Sequence, residues 1–124
     1  MISRYYTDED TECHCGCGFN EPSETLMTYL DRLCDLAGEK LELTNVCRCE
    51  EHNAEVGGVT GSQHTKGTAA DVAVPYSLTV DELAEMAERI GFDGIGKYYA
   101  DDFIHVDARS DGLEPGVYRW TDDD

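Results

Sequence analysis

Apolar residues recur along this chain at two periods, and each switch between them marks an element. Leu26, Leu30, Leu33 and Ala37 follow one another at intervals of three or four after Pro22, and Gly38 follows them, which predicts a helix over 22–37. Leu41 to Val46 alternates as a strand whose end delivers Arg48, and Glu50 to Val56 reads as a short helical turn closed by Gly57-Gly58. Thr68 to Val74 is a short buried strand. Thr79, with Glu82 three residues on, is a capping box opening a helix to about Ile90, with Leu83, Met86, Ala87 and Ile90 as its buried stripe and Gly91 as its stop. Phe92 to Tyr99 and Phe103 to Arg109 read as two strands joined through Tyr99-Ala100-Asp101-Asp102, a hairpin. Residues 1–21 read as an irregular arm, and in the tail Val117, Tyr118 and Trp120 are expected to pack back on the core before the chain frays through Asp122-Asp123-Asp124. Strands and helices that segregate rather than alternate strictly predict an α+β fold with a small, mostly antiparallel sheet. At 124 residues, with no internal repeat or linker, one domain with one modest core is expected over residues 1–124.

The same alternation locates the chemistry. In the strand 68–74 it sends Ala69, Asp71 and Ala73 to one face and Ala70, Val72 and Val74 to the other. Asp71 is then an inward carboxylate with no Lys or Arg close by in its strand. Burying a lone carboxylate costs several kcal/mol unless a cation meets it, and a metal ion is the economical partner. In the strand 103–109, Phe103, His105, Asp107 and Arg109 share one face and Ile104, Val106 and Ala108 the other. If the two strands share a sheet, His64, Asp71 and His105 come within reach of one another. Two imidazoles and a carboxylate are a common catalytic zinc set, with a fourth position left open for water.

Charge narrows the partners. The chain carries 27 Asp and Glu against 9 Lys and Arg, a formal charge of −18. Such a surface repels nucleic acid and anionic membrane, so neither is expected as a partner. Adaptation to high salt is one reading of this acidity, and secondary structure followed against salt concentration tests it. No stretch approaches the length needed to span a bilayer, and Met1-Ile2-Ser3-Arg4 lacks the apolar run of a secretory signal.

Six cysteines leave three states open. Cys13, Cys15 and Cys17 stand two apart, a spacing that rarely bridges internally, so they pair with the distant Cys34, Cys47 and Cys49 in disulfides, contribute to a structural zinc site, or remain small buried thiols.

The motif Ser62-x-His64-x-x-Gly67-x-Ala69-x-Asp71, followed by Asp102-x-x-His105, resembles the zinc D-Ala-D-Ala carboxypeptidase and endolysin-type peptidase superfamily, peptidase family M15. Arg48-Cys49-x-x-His52-Asn53-x-x-Val56-Gly57-Gly58-Val59 and Gly94-Ile95-Gly96-x-Tyr98 are similar to its small phage and bacterial branch, and the resemblance runs from about Cys13 to Trp120. It implies helices against one face of the sheet and one catalytic zinc on the other, bound by His64, Asp71 and His105. It implies hydrolysis of a peptide bond next to a D-amino acid in cell-wall peptide, by a carboxypeptidase or an endolysin-like enzyme of phage lysis or tail type. The acidic residue three before the last histidine, Asp102, is the implied base. Alternation puts Asp102 on the face opposite His105, so the chain must bend between them, and Asp107 remains the alternative base or else a group that orients a ligand. Arg48 is implied to hold a substrate carboxylate or an oxyanion, although Cys47 replaces the usual aromatic; a surface salt bridge is its other reading. Ser62 and Gln63 are candidate hydrogen-bond donors near the site, and Tyr98 and Tyr99 candidate cleft residues. The rival reading is a virion or envelope protein that keeps the fold, with assembly partners or another surface polymer as ligand and altered or no activity.

Overall fold

The computed structural model describes residues 3–13, 17, 20–55, 63–109 and 118–121, except for the side chains of Asp8, Glu50, His52, Glu55 and Gln63. Their chain order is α1 (Asp8–Thr11), α2 (Glu24–Ala37), β1 (Leu43–Asn45), α3 (Glu50–Glu55), a 3-10 turn (Gln63–Lys66), β2 (Ala69–Ala73), α4 (Val80–Ile90), β3 (Gly94–Tyr98), β4 (Phe103–Asp107) and β5 (Tyr118–Thr121). The strands form one sheet in the order β1-β2-β4-β3-β5. All pairs are antiparallel except β3 with β5. The fold is α+β, as the segregated pattern predicts.

Local chemistry sets the boundaries. The Ser23 side chain accepts from Leu26 N–H and caps α2, so the helix starts after Ser23 rather than at Pro22. Thr79 and Glu82 form the reciprocal capping box of α4, and both long helices end at a left-handed glycine, Gly38 and Gly91. The buried side of α4 is Val80, Leu83, Ala84 and Ala87, while Met86 and Ile90 are only half-buried. The helix is turned so that the small Ala84 and Ala87 face inward, and its bulkier residues close the edge of the core. The N-terminal arm is more ordered than its composition suggests. It contains α1, and the buried Tyr6 hydroxyl donates to the Leu41 carbonyl at 2.7 Å. β1 is shorter than the alternation over 41–46 predicts, because the register slips between Leu43 and Asn45.

Register divides the sheet into two faces. On one, Ala70, Val72, Ile95, Ile104 and Val106 join Leu26, Leu30, Leu33 and Leu83 in the apolar core beneath α2 and α4. On the other, Asp71 pairs His105, and Gly96 lies opposite His105 on its far side. Trp120 of β5 lies opposite Gly96 in turn. The tail therefore completes the sheet edge instead of merely packing on the core, and it places an aromatic ring on the face away from the helices.

Candidate metal centre

Three elements supply the donors. The 3-10 turn carries His64, β2 carries Asp71 and β4 carries His105. The turn is fastened to the start of α2 through Ser23 N–H, which donates to the Gly67 carbonyl at 2.8 Å. Gly67 has φ +73°, and a Cβ there would overlap the backbone of Glu21, so only glycine fits. Asp71 and His105 are direct cross-strand partners.

The donor atoms converge. Asp71 Oδ1 lies 3.3 Å from His64 Nε2 and 3.4 Å from His105 Nδ1, and one donor atom from each of the three residues falls within 4.8 Å of the others. Two metal–ligand bonds of about 2.05 Å at a tetrahedral angle put their donor atoms about 3.3 Å apart. The observed separations have that value and exceed the usual hydrogen-bond length of about 2.9 Å. The imidazole rings stand nearly perpendicular, at 87°, with centroids 5.3 Å apart.

Each histidine is aimed by its other nitrogen. The Val46 carbonyl can only accept, so the 2.9 Å contact makes His64 Nδ1 the donor and turns Nε2 toward Asp71. His105 Nε2 donates to Asp107 Oδ2 at 2.8 Å, which aims its Nδ1 at the same point. Asp107 is fully buried and chelated by Arg109, whose Nε meets Oδ1 at 2.8 Å and whose Nη2 meets Oδ2 at 2.7 Å. The Arg109 guanidinium lies 4.1 Å from the centroid of the Tyr118 ring, a cation–π contact. Gly94 faces Asp107 across the β3–β4 ladder, and a Cβ at Gly94 would collide with that carboxylate.

Burial and pairing pull the titrations in opposite directions. Burial pushes the Asp71 carboxyl up, but bonds to His105 and His64 outweigh it and hold the group well below the usual carboxylate range. Burial likewise pushes Asp107 up, and Arg109 followed by His105 reverses this, leaving it low. Burial pushes His105 down while Asp107 and Asp71 raise it, with a net rise above 6.5.

The remaining candidates sort by position. Asp102 sits exposed in the β3–β4 turn with φ +56°, so the bend that alternation requires falls at Asp102 itself. Both Asp107 oxygens are engaged and shielded from water, which suits a group that orients His105 and not one that takes protons from solvent. Arg48 is only 8% exposed, and its Nε has no hydrogen-bond partner among the described residues. That burial takes the side chain off the surface. Its backbone N–H donates to the His64 carbonyl at 3.1 Å, tying it to the site. Asn45, opposite Asp71 across β1–β2, has a buried Oδ1 that likewise lacks a partner among the described residues. Ser62 lies outside the described residues, as does the Gln63 side chain.

Of the aromatic wall the sequence offered Tyr98 alone, and Phe103 and Trp120 were missed. Trp120 lies with its centroid 5.0 Å from that of His105 and donates from Nε1 to the Tyr98 hydroxyl at 2.8 Å, and Tyr98 stacks on Phe103 at 4.5 Å. A Cβ at Gly96 would collide with the Trp120 ring. The Gly-Ile-Gly alternation in β3 was the available signal, since it empties the positions beside Asp107 and His105. Tyr99 is not part of this wall; its hydroxyl donates to Asp81 Oδ1 at 2.6 Å on the exposed surface.

An α+β fold with two imidazoles and a carboxylate gathered on the open face of its sheet is of the class found in metal-centred hydrolases. Within that class the chain belongs to the peptidase M15 family, whose model matches residues 6–107. The match takes in Arg48, His64, Asp71, Asp102, His105 and Asp107, while Arg109 and Trp120 lie beyond it. No curated protein matches the chain.

Proposed function

We propose that the protein is a zinc-dependent peptidase that cleaves a peptide bond adjacent to a D-amino acid in cell-wall peptide, as a D,D-carboxypeptidase or endolysin-like enzyme. The observation that carries this reading is the pair of donor separations, 3.3 and 3.4 Å about Asp71 Oδ1, which fit a tetrahedral ion held by His64 Nε2, Asp71 and His105 Nδ1. Among the described residues no fourth His, Cys, Asp or Glu joins the three, which suits a catalytic ion with one open corner. A zinc ion there supplies Lewis-acid polarisation of a peptide carbonyl and lowers the pKa of water to about 7. Asp102 serves as general base and later returns the proton to the leaving amine. Asp107 and the Val46 carbonyl hold the two imidazoles in their binding tautomers. Arg48 Nε, which has no partner among the described residues, is a donor for a substrate carboxylate or a developing oxyanion. Tyr98, Phe103 and Trp120 offer an apolar wall to the substrate. The choice of a D-configured cell-wall substrate follows the resemblance carried by the Ser62 to Asp71 motif.

The purified chain, incubated with a peptide ending in D-Ala-D-Ala, its L-Ala-L-Ala counterpart and solubilised cell-wall peptides, tests the reading by mass spectrometry of products. Release from the D-configured substrates, abolished by a chelator and restored by zinc, is expected. Equal release from the L-peptide would remove the substrate assignment. Zinc-loaded protein that releases nothing would remove the enzyme and leave the binding or virion role.

A further inference from the structure

The described residues hold one other cluster of metal-binding donors. The thiols of Cys13, Cys17 and Cys49 bring their Sγ atoms within 4.8 Å of one another, Cys13 buried, Cys49 half-buried and Cys17 exposed. Zinc–sulfur bonds of about 2.3 Å at a tetrahedral angle place sulfurs about 3.8 Å apart, so small side-chain rotations close the set on one ion. The backbone is already arranged for it. Cys49 N–H donates to Cys13 Sγ at 3.3 Å, which holds the two segments together at the cluster. Cys34 and Cys47 have different surroundings. Burial pushes the Cys47 thiol up to about 11, and Cys34 lies within the core at 3.0 Å from the Tyr6 hydroxyl. Those two behave as small apolar residues.

We infer that Cys13, Cys17 and Cys49 bind a second zinc ion, a structural one, that fastens the N-terminal arm to the segment Val46–Cys49. This segment is the back of the hydrolytic site. The Val46 carbonyl fixes the His64 ring, Cys47 N–H donates to the Thr11 carbonyl of the arm at 3.0 Å, and Arg48 N–H donates to the His64 carbonyl. An ion at its end holds His64 and Arg48 from behind, so the three cysteines are positioning residues. Because the ion joins segments more than thirty residues apart in the chain, its binding free energy is also folding free energy.

The test needs no substrate and so is separate from the peptidase reading. The full chain, purified under reducing conditions, is expected to carry about two zinc ions, falling to about one in His64→Ala/His105→Ala and to about one in Cys13→Ser/Cys49→Ser. Cobalt substituted into the histidine double variant should show thiolate-to-cobalt charge-transfer absorption in the near ultraviolet. Should the cysteine variant fail to fold, the histidine variant still decides. A histidine variant that binds no metal, or whose cobalt form lacks that band, overturns the inference. So do thiols that react with a thiol reagent at the same rate with and without chelator, or a disulfide found among the three.

Discussion

The two faces of this sheet carry the same alternation and solve opposite problems. Toward α2 and α4, Val72, Ile95, Ile104 and Val106 are at most 1% exposed, and burying them is favourable in itself. On the other face Asp71, His105 and Asp107 are also withdrawn from water, which is unfavourable unless each charge meets its complement. Here each does, through the sequence Asp71, His105, Asp107, Arg109. The apolar face owes its stability to volume, whereas the polar face depends on a chain of pairings whose terminal donors point at a metal position. Substitutions on the first should move stability and spare metal binding; those on the second should weaken metal binding as well as stability.

The sharpest break is expected at Asp102, the proposed base. Asp102→Asn should lower kcat by about a hundred- to ten-thousand-fold with zinc content and Tm unchanged, because an exposed turn residue supports neither. The same substitution at Asp107 should leave more activity at saturating zinc, and steady-state kinetics on both variants would expose an inverted order. Next, Ile104→Ala on the apolar face should cost about 2–5 kcal/mol in urea unfolding with one zinc still held by the histidine site; zinc lost in step with stability would merge the two faces into one. Asp107→Asn should weaken zinc binding by about ten- to a hundred-fold in a chelator competition, since the His105 ring loses its orienting acceptor.

The smallest effect is the pH dependence. In the metal-free protein the raised His105 pKa contributes stability below the ordinary imidazole value of 6.5, and this is lost as pH rises through the folded-state value. Asp71 and Asp107, held low, contribute above their ordinary 3.8, and this is lost as pH falls through their folded-state values. Zinc must displace the His105 proton, so its affinity should begin to fall on acidification above pH 6.5. Zinc affinity that stays flat from about pH 8 to about pH 6 would contradict the pairing that raises His105.

Much of this division is legible in the residues. Alternation in Ala69–Ala73 and Phe103–Asp107 places Asp71 and His105 on one face, and the hairpin follows from the Tyr99 to Asp102 turn. Alternation cannot report depth, so the full burial of Asp107 and the exposure of Asp102 are visible only in the fold. The Trp120 wall depends on β5 joining β3 in parallel across a long sequence separation, a pairing that no local pattern encodes. The stripe of α4 keeps Leu83 and Ala87 but adds Val80 and Ala84 in place of Met86 and Ile90, which hydrophobicity alone favours. The cysteine grouping joins residues far apart in the chain, so spacing leaves it open and only the fold brings Cys49 to Cys13.

Anomalous diffraction at the zinc edge from crystals of the full chain tests the central claim most directly. The account predicts a peak bonded to His64 Nε2, Asp71 Oδ1 and His105 Nδ1, with the fourth corner free of protein. No peak among those atoms, or one whose fourth corner is filled by another side chain, would contradict it.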